Sequence, residues 1–277
     1  MSKYRFNIGI RAHDLDGCPF SDANDIVKEL KKNDIDYLQL VYKKAFPNFT
    51  MDYDYLKKVN DIFNANNVTV AMVGAYFNMV HPDTKKREDG TAYFIECMKS
   101  AHIFNAKYVG SETGSLNGDE WTYNPLNQTE ETYNTLKETL SKIVKYEDEL
   151  NVYPIVEGSY SHTINTPKLM KRLIDEMNIK NITFDLFNYL SIDNFMNYKD
   201  ILDEGLSLFK DKIRIFHIKD FEVVNNELVQ TSIGEGIMDY HYILNKIREN
   251  VPNAILILED VRGDNIKKSV KYIRSFE

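Results

Sequence analysis

Four apolar runs in the second half of the chain deliver a residue able to donate to a cation. Residues 152–157 end on Glu157, 181–185 on Asp185 and 255–259 on Glu259. The run 213–220 carries His217 near its end, followed by Lys219 and Asp220. Three carboxylates and one imidazole form a hard oxygen-and-nitrogen donor set. It suits one divalent ion of the Mn, Mg, Co or Zn type and not a thiolate-type zinc site. Without a cation, carboxylates packed together raise one another's pKa values and destabilise the fold. Taken singly, each acid is an ordinary loop-starting or capping group, and the histidine a satisfied near-core residue. Their recurrence at the same place in four successive units is what points to a shared centre.

The elements that must position these groups follow from periodicity. Short β-like runs fall at 6–10, 37–41, 68–76 and 108–109, before the four runs already named. Helical spacing occupies 22–32, with Ile26, Val27 and Leu30 on one face, then 53–65, about 91–104 and 129–150, where Thr129 is the N-cap candidate. It returns near 167–176, 196–209, 240–250 and 265–276. Residues 110–127 and 220–238 read as loops. Eight strands alternating with eight helices predict a single (β/α)8 TIM barrel in which residues 1–277 are one domain. A barrel of about 250 residues commonly is. An open doubly wound sheet requires a glycine-rich phosphate loop, and neither GxGxxG nor GxxxxGK[ST] occurs. A barrel carries its active site at the C-terminal strand ends, so the four donors would be neighbours there.

Composition narrows the partners. A formal charge of −8 argues against nucleic acid or an anionic membrane as a ligand. Cys18 and Cys97 are too few for a disulfide framework. No apolar run approaches the ~20 residues of a membrane helix, and Lys3 and Arg5 lead into a strand-like run, not a signal sequence. The expectation is a cytoplasmic protein acting on small molecules.

The segments Ile155-Val156-Glu157, Thr183-Phe184-Asp185, His217-Ile218-Lys219-Asp220, Ile233-Gly234-Glu235-Gly236-Ile237-Met238-Asp239 and Leu258-Glu259 resemble the xylose isomerase-like TIM-barrel superfamily. They are most similar to its sugar phosphate isomerase/epimerase branch, with tagatose and psicose 3-epimerases, hydroxypyruvate isomerase and inosose-processing enzymes. The resemblance implies one divalent metal held by Glu157, Asp185, His217 and Glu259. It also implies a sugar or polyol-derived hydroxy-ketone as substrate, with proton transfer by Glu157 and Glu259 through a metal-stabilised enediolate. Homo-oligomers are common in that family. One departure stands out: many members have a histidine three residues after the aspartate, where this chain has Asn188. Asparagine bonds a hydroxyl but is no proton shuttle. Two alternatives therefore stay open, a dehydratase of inosose or dehydroshikimate type on the same site and a non-catalytic sugar-binding relative. Endonuclease IV-like barrels carry an Asp-x-His pair upstream of a similar Gly-x-Gly. Leu228-Val229-Gln230 stands there, which together with Asn188 and the acidic charge argues against a trinuclear nuclease.

Further residues are placed to meet a substrate. Asn188, His162, Lys219, Asn78, His81, Glu112 and Arg262 all follow strand ends and are substrate-binding candidates, as is His13; a solvated loop role is the alternative for each. Asp220 is a candidate to orient a metal ligand from behind. Trp121 and Tyr123 suit an apolar lid or a loop anchor. His102 and His241 fall in predicted helices and read as structural.

Overall fold

The computed structural model describes residues 4–277. Among them the strands are β1 (Asn7–Arg11), β2 (Tyr37–Leu40), β3 (Thr69–Gly74), β4 (Tyr108–Glu112), β5 (Tyr153–Glu157), β6 (Ile182–Asp185), β7 (Ile213–Ile218), β8 (Asp220–Val224), β9 (Glu227–Thr231) and β10 (Ile255–Leu258). The helices are α1 (Ala23–Lys32), α2 (Tyr42–Ala45), α3 (Tyr53–Ala65), α4 (Thr84–Ala101), α5 (Glu130–Val144), α6 (Glu147–Leu150), α7 (Pro167–Met177), α8 (Tyr198–Phe209), α9 (Tyr240–Asn250) and α10 (Asp264–Arg274). The strand order β1-β10-β7-β6-β5-β4-β3-β2 closes on itself, so the fold is a single (β/α)8 TIM barrel. No helix among the described residues is long and apolar enough to cross a membrane.

Two compact units make up the chain. One comprises the described part of Met1–Met72 with Ile103–Asn105 and Arg214–Glu277; the other comprises Val73–His102 and Ala106–Ile213. In the first, β1 runs parallel to both β10 and β2, aligning Ile10 with Leu258 and Arg11 with Gln39. In the second, β4 and β5 pair along their whole length and end together, with Glu112 opposite Glu157. Partners in register point to the same face of a sheet.

The predicted elements differ from the observed ones where local chemistry intervened. The loop expected at 220–238 contains the β8–β9 antiparallel hairpin, outside the barrel wall, with Asp220 opposite Thr231. Its exposed Val223, Val224 and Val229 are β-formers with little apolar periodicity to reveal them. The helix at 129–150 is interrupted after Val144, where the chain turns through Lys145 and Tyr146 before α6. Thr129 does cap α5, accepting from the Thr132 N–H at 3.3 Å. Helix α4 starts seven residues before the expected 91, because the Asp83 carboxylate caps it by accepting from Lys85 N–H.

Candidate metal centre

In the first unit, His217 lies on β7 with its side chain fully buried. Gln39, also fully buried on β2, places Oε1 2.7 Å from His217 Nε2. An amide oxygen only accepts, so Nε2 carries the proton and Nδ1 keeps its lone pair. Nδ1 faces Glu259 Oε2 at 3.3 Å. Glu259, just beyond β10, is held by two cations: Lys219 Nζ lies 2.6 Å from Oε2, and Arg11 bonds Oε1. Arg11 is itself fixed at the end of β1. Its guanidinium takes Asp14 through two bonds of 2.6 and 3.1 Å and also reaches Asp260, while the Asp260 N–H donates to Asp14 at 3.0 Å. Neighbouring Glu259, Asp14 and Asp260 more than offset the desolvation of Arg11 and raise its pKa, so it stays charged.

In the second unit, Glu157 ends β5 and Asp185 ends β6, both buried. Asn188 joins them. Its backbone N–H donates to Asp185 Oδ1 at 3.0 Å and its side-chain Nδ2 donates to Glu157 Oε1. Asn188 therefore orients a carboxylate. Tyr189 packs next to this pair, and burial, reinforced by Glu157 and Asp185, raises its phenol pKa. Gly158 is required by that packing: a Cβ there would lie 2.7 Å from the Ile164 carbonyl oxygen.

One ligand atom from each of Glu157, Asp185, His217 and Glu259 lies within 4.8 Å of the other three, and all four residues are buried. Ligands on opposite sides of a Mg²⁺-sized ion are ~4.2 Å apart, so the spacing suits one cation. The donor set fits too: hard carboxylate oxygens and an imidazole nitrogen whose tautomer is already set by Gln39. The buried cluster can hold a metal ion.

A family model described as xylose isomerase-like TIM barrel matches residues 27–276. The chain belongs to this family. Its fold is similar to that of a D-tagatose 3-epimerase-like protein, with 16% identity, 98% of this chain and 97% of that one covered, and a TM-score of 0.75. It is similar to a probable 3-DHS dehydratase from Bacillus anthracis, with 13% identity, 97% and 98% covered, and a TM-score of 0.75. A third is the IOLI protein with a bound zinc atom, with 15% identity, 98% and 96% covered, and a TM-score of 0.69. No curated protein matches the chain.

The glycine motif of this xylose isomerase-like chain has a local explanation. Asp220, fully buried, accepts backbone N–H bonds from Phe221, Gly234, Gly236 and Met238. Desolvation nevertheless raises its pKa. A Cβ on Gly236 would stand 2.5 Å from the Phe221 carbonyl oxygen, and one on Gly234, at φ +84°, 2.6 Å from the Tyr272 ring. Asp220 thus gathers the loop after β9 around its own carboxylate. Tyr240 Oη donates to the Lys219 carbonyl at 2.8 Å, tying α9 to the same turn.

The remaining candidates divide by what each side chain meets. Lys219 is buried against Glu259, whereas Arg262 is exposed, 3.4 Å from Asp14. Asn78 donates to the carbonyls of Ser115 and Gly118 and accepts from Val80 and Ser115 N–H groups. His81 Nδ1 accepts from Asp83 N–H, and its Nε2 faces Asp119 at 3.4 Å. Both residues hold the loops after β3 and β4 through these bonds. Glu112 and His162 meet, with Oε2 3.2 Å from Nδ1, and Trp121 lies edge-on to the His162 ring at 5.6 Å. Tyr123 stacks on Tyr160. His13 is half-buried, and burial, aided by Arg11 and Lys44, lowers it to about 3. His102 is exposed at the end of α4, and His241 packs on Phe276. Arg11, Gln39 and Asp14 escaped the sequence reading. Gln39 is the one polar residue inside its apolar run, and Arg11 closes the first run; those are the signals they offered.

Proposed function

We propose that the chain is a divalent-metal-dependent isomerase or epimerase of a small sugar or polyol-derived hydroxy-ketone, acting as one domain in the cytoplasm. The observation that carries this reading is the buried cluster of three carboxylates and one imidazole at the ends of β5, β6, β7 and β10. Its similarity to a tagatose 3-epimerase-like protein supports the substrate class, and the zinc in the IOLI structure supports the cofactor.

Glu157, Asp185, His217 and Glu259 would hold a divalent ion, which would supply Lewis acidity at a carbonyl oxygen and acidify the adjacent C–H. Glu157 and Glu259 are the residues that move the proton at that carbon. Asn188 fixes the Glu157 carboxylate through Oε1. Lys219 and Arg11 fix Glu259 through both oxygens. Gln39 holds the Nε2–H of His217 and orients Nδ1 toward Glu259. Transfer between two carboxylates on opposite faces of one carbon inverts it, whereas return by one carboxylate to the neighbouring carbon gives isomerisation.

The deciding experiment incubates metal-loaded and metal-stripped protein in D₂O with a panel of ketoses, inososes and hydroxypyruvate, followed by NMR and product mass. Metal-dependent deuterium entry beside a carbonyl, lost in Glu157→Gln and Glu259→Gln, is expected. Loss of one water from the product replaces this reading with a dehydratase. Binding without exchange replaces it with a sugar-binding protein.

A further inference from the structure

Lys219 sets a buried positive charge against one of the residues that would hold the ion. Its side chain is only 3% exposed, and its Nζ lies 2.6 Å from Glu259 Oε2. The same oxygen faces His217 Nδ1 at 3.3 Å. Oε2 is thus the Glu259 atom turned toward the imidazole lone pair, the one a cation shared by these two side chains would use. An oxygen that bonds an ammonium at this distance and a divalent ion at about 2.1 Å holds the two cations within about 5 Å of each other. Repulsion over that distance is strong in a buried site, where neither water nor salt screens it well.

Glu259 does not need Lys219 for its orientation. Arg11 bonds Oε1, and Arg11 is locked in turn by two bonds to Asp14 and one to Asp260. The main chain around Lys219 is equally fixed. Its carbonyl accepts from Tyr240 Oη at 2.8 Å, and the next residue, Asp220, gathers the N–H groups of Phe221, Gly234, Gly236 and Met238. The backbone therefore cannot carry the ammonium away, whereas its four-carbon stem can turn.

We propose that Lys219 and the divalent ion compete for Glu259 Oε2. The ammonium lowers the affinity of the centre for metal and must swing off that oxygen before the ion takes it. Lys219 thus keeps the metal exchangeable. This inference rests on the metal centre proposed above and names the residue that sets its affinity. The sign is diagnostic: loss of a lysine that merely scaffolds the site would loosen Glu259 and weaken metal binding, whereas loss of a competitor strengthens it.

The test titrates metal-stripped, full-length protein with Mn²⁺ by calorimetry, comparing the wild type with Lys219→Gln, Lys219→Met and Lys219→Arg. Glutamine keeps a hydrogen-bond donor for Glu259 without the charge, and methionine keeps only the apolar stem. Both variants should bind Mn²⁺ about tenfold or more tightly than the wild type. Lys219→Arg retains the charge and should stay within about threefold of the wild type. Urea unfolding supplies a second readout: at equal Mn²⁺, the metal should raise the midpoint further in Lys219→Gln than in the wild type. If Lys219→Met does not fold, Lys219→Gln and Lys219→Arg decide the matter. Wild-type protein that binds Mn²⁺ as tightly as Lys219→Gln, or more tightly, overturns the competition and leaves the metal centre standing. Equal tightening in Lys219→Arg also overturns it, because charge is then not the cause. Absence of Mn²⁺ binding in all of these proteins overturns the metal centre and the competition together.

Discussion

Gln39 and His217 lie 178 positions apart and meet in one buried hydrogen bond of 2.7 Å, the imidazole Nε2–H donating to the amide oxygen. The bond fixes the tautomer that leaves Nδ1 toward Glu259. Gln39→Leu keeps the volume and removes the acceptor. Divalent-metal affinity should fall ~10–100-fold, as is usual when the partner of a ligating histidine is lost. Isothermal titration with Mn²⁺ measures this directly. Unchanged affinity would mean that Gln39 is only core filling.

Arg11 is surrounded by carboxylates of Asp14, Glu259 and Asp260 and is nearly inaccessible. Arg11→Met removes the cation and strands buried charge. Unfolding stability in urea should drop by ~3–5 kcal/mol, the usual consequence of breaking a buried pair from one side. A loss below about 1 kcal/mol would mean that the carboxylates relax into solvent or protonate at little cost.

Asp220 satisfies four backbone N–H groups with one carboxylate, and Gly236 is packed against it. Asp220→Ala should leave several of those donors unsatisfied, at ~1–3 kcal/mol each, and speed amide hydrogen exchange at Gly234, Gly236 and Met238. Gly236→Ala should produce the same exchange pattern, since the added methyl displaces the carboxylate. Exchange confined to other residues would refute the role.

Legibility differed between the barrel and the details of its site. Strands 152–157, 181–185 and 213–218 were visible because buried parallel strands are continuous apolar runs, and their ends are where the ligands stand. The register that sets Glu112 opposite Glu157 and the Arg11 network around Glu259 were not visible. Those contacts join residues far apart in sequence, and no local periodicity encodes them. Lys219 read equally as a substrate contact or half of a solvated loop pair; it is buried, with Glu259 offsetting its charge. The β8–β9 hairpin went unseen because its strands are short and largely exposed, with no apolar periodicity.

His162 gives the fold a pH dependence with a definite sign. Burial lowers it to about 4, against about 6.5 for an unperturbed histidine. Between those values the unfolded chain takes up a proton that the folded protein refuses. Stability is therefore complete above pH ~6.5 and declines as pH falls toward 4, by up to ~3 kcal/mol from this residue. Urea midpoints across that range should fall with acidification, and His162→Gln should flatten the fall. A variant as steep as the wild type would assign the dependence to other groups.

Tyr189 carries the most counter-intuitive expectation. Its side chain is among the largest fully buried ones, its ring packs 5.7 Å from that of Phe184, and its hydroxyl has no hydrogen-bond partner among the described residues. A buried hydroxyl without a partner costs ~1–3 kcal/mol in desolvation, while the ring contributes ordinary apolar burial. Tyr189→Phe keeps the ring and deletes only the oxygen. The variant should be as stable as the wild type or more stable by ~1 kcal/mol, read as a higher urea midpoint at unchanged m-value. Evolution retains such a cost most readily at a working site, and burial beside Glu157 and Asp185 already raises the phenol pKa. D₂O exchange into a ketose substrate should therefore slow in the same variant that gains stability. A destabilisation above ~1 kcal/mol would show that the hydroxyl has a partner after all. Equal exchange rates would make Tyr189 a packing residue only.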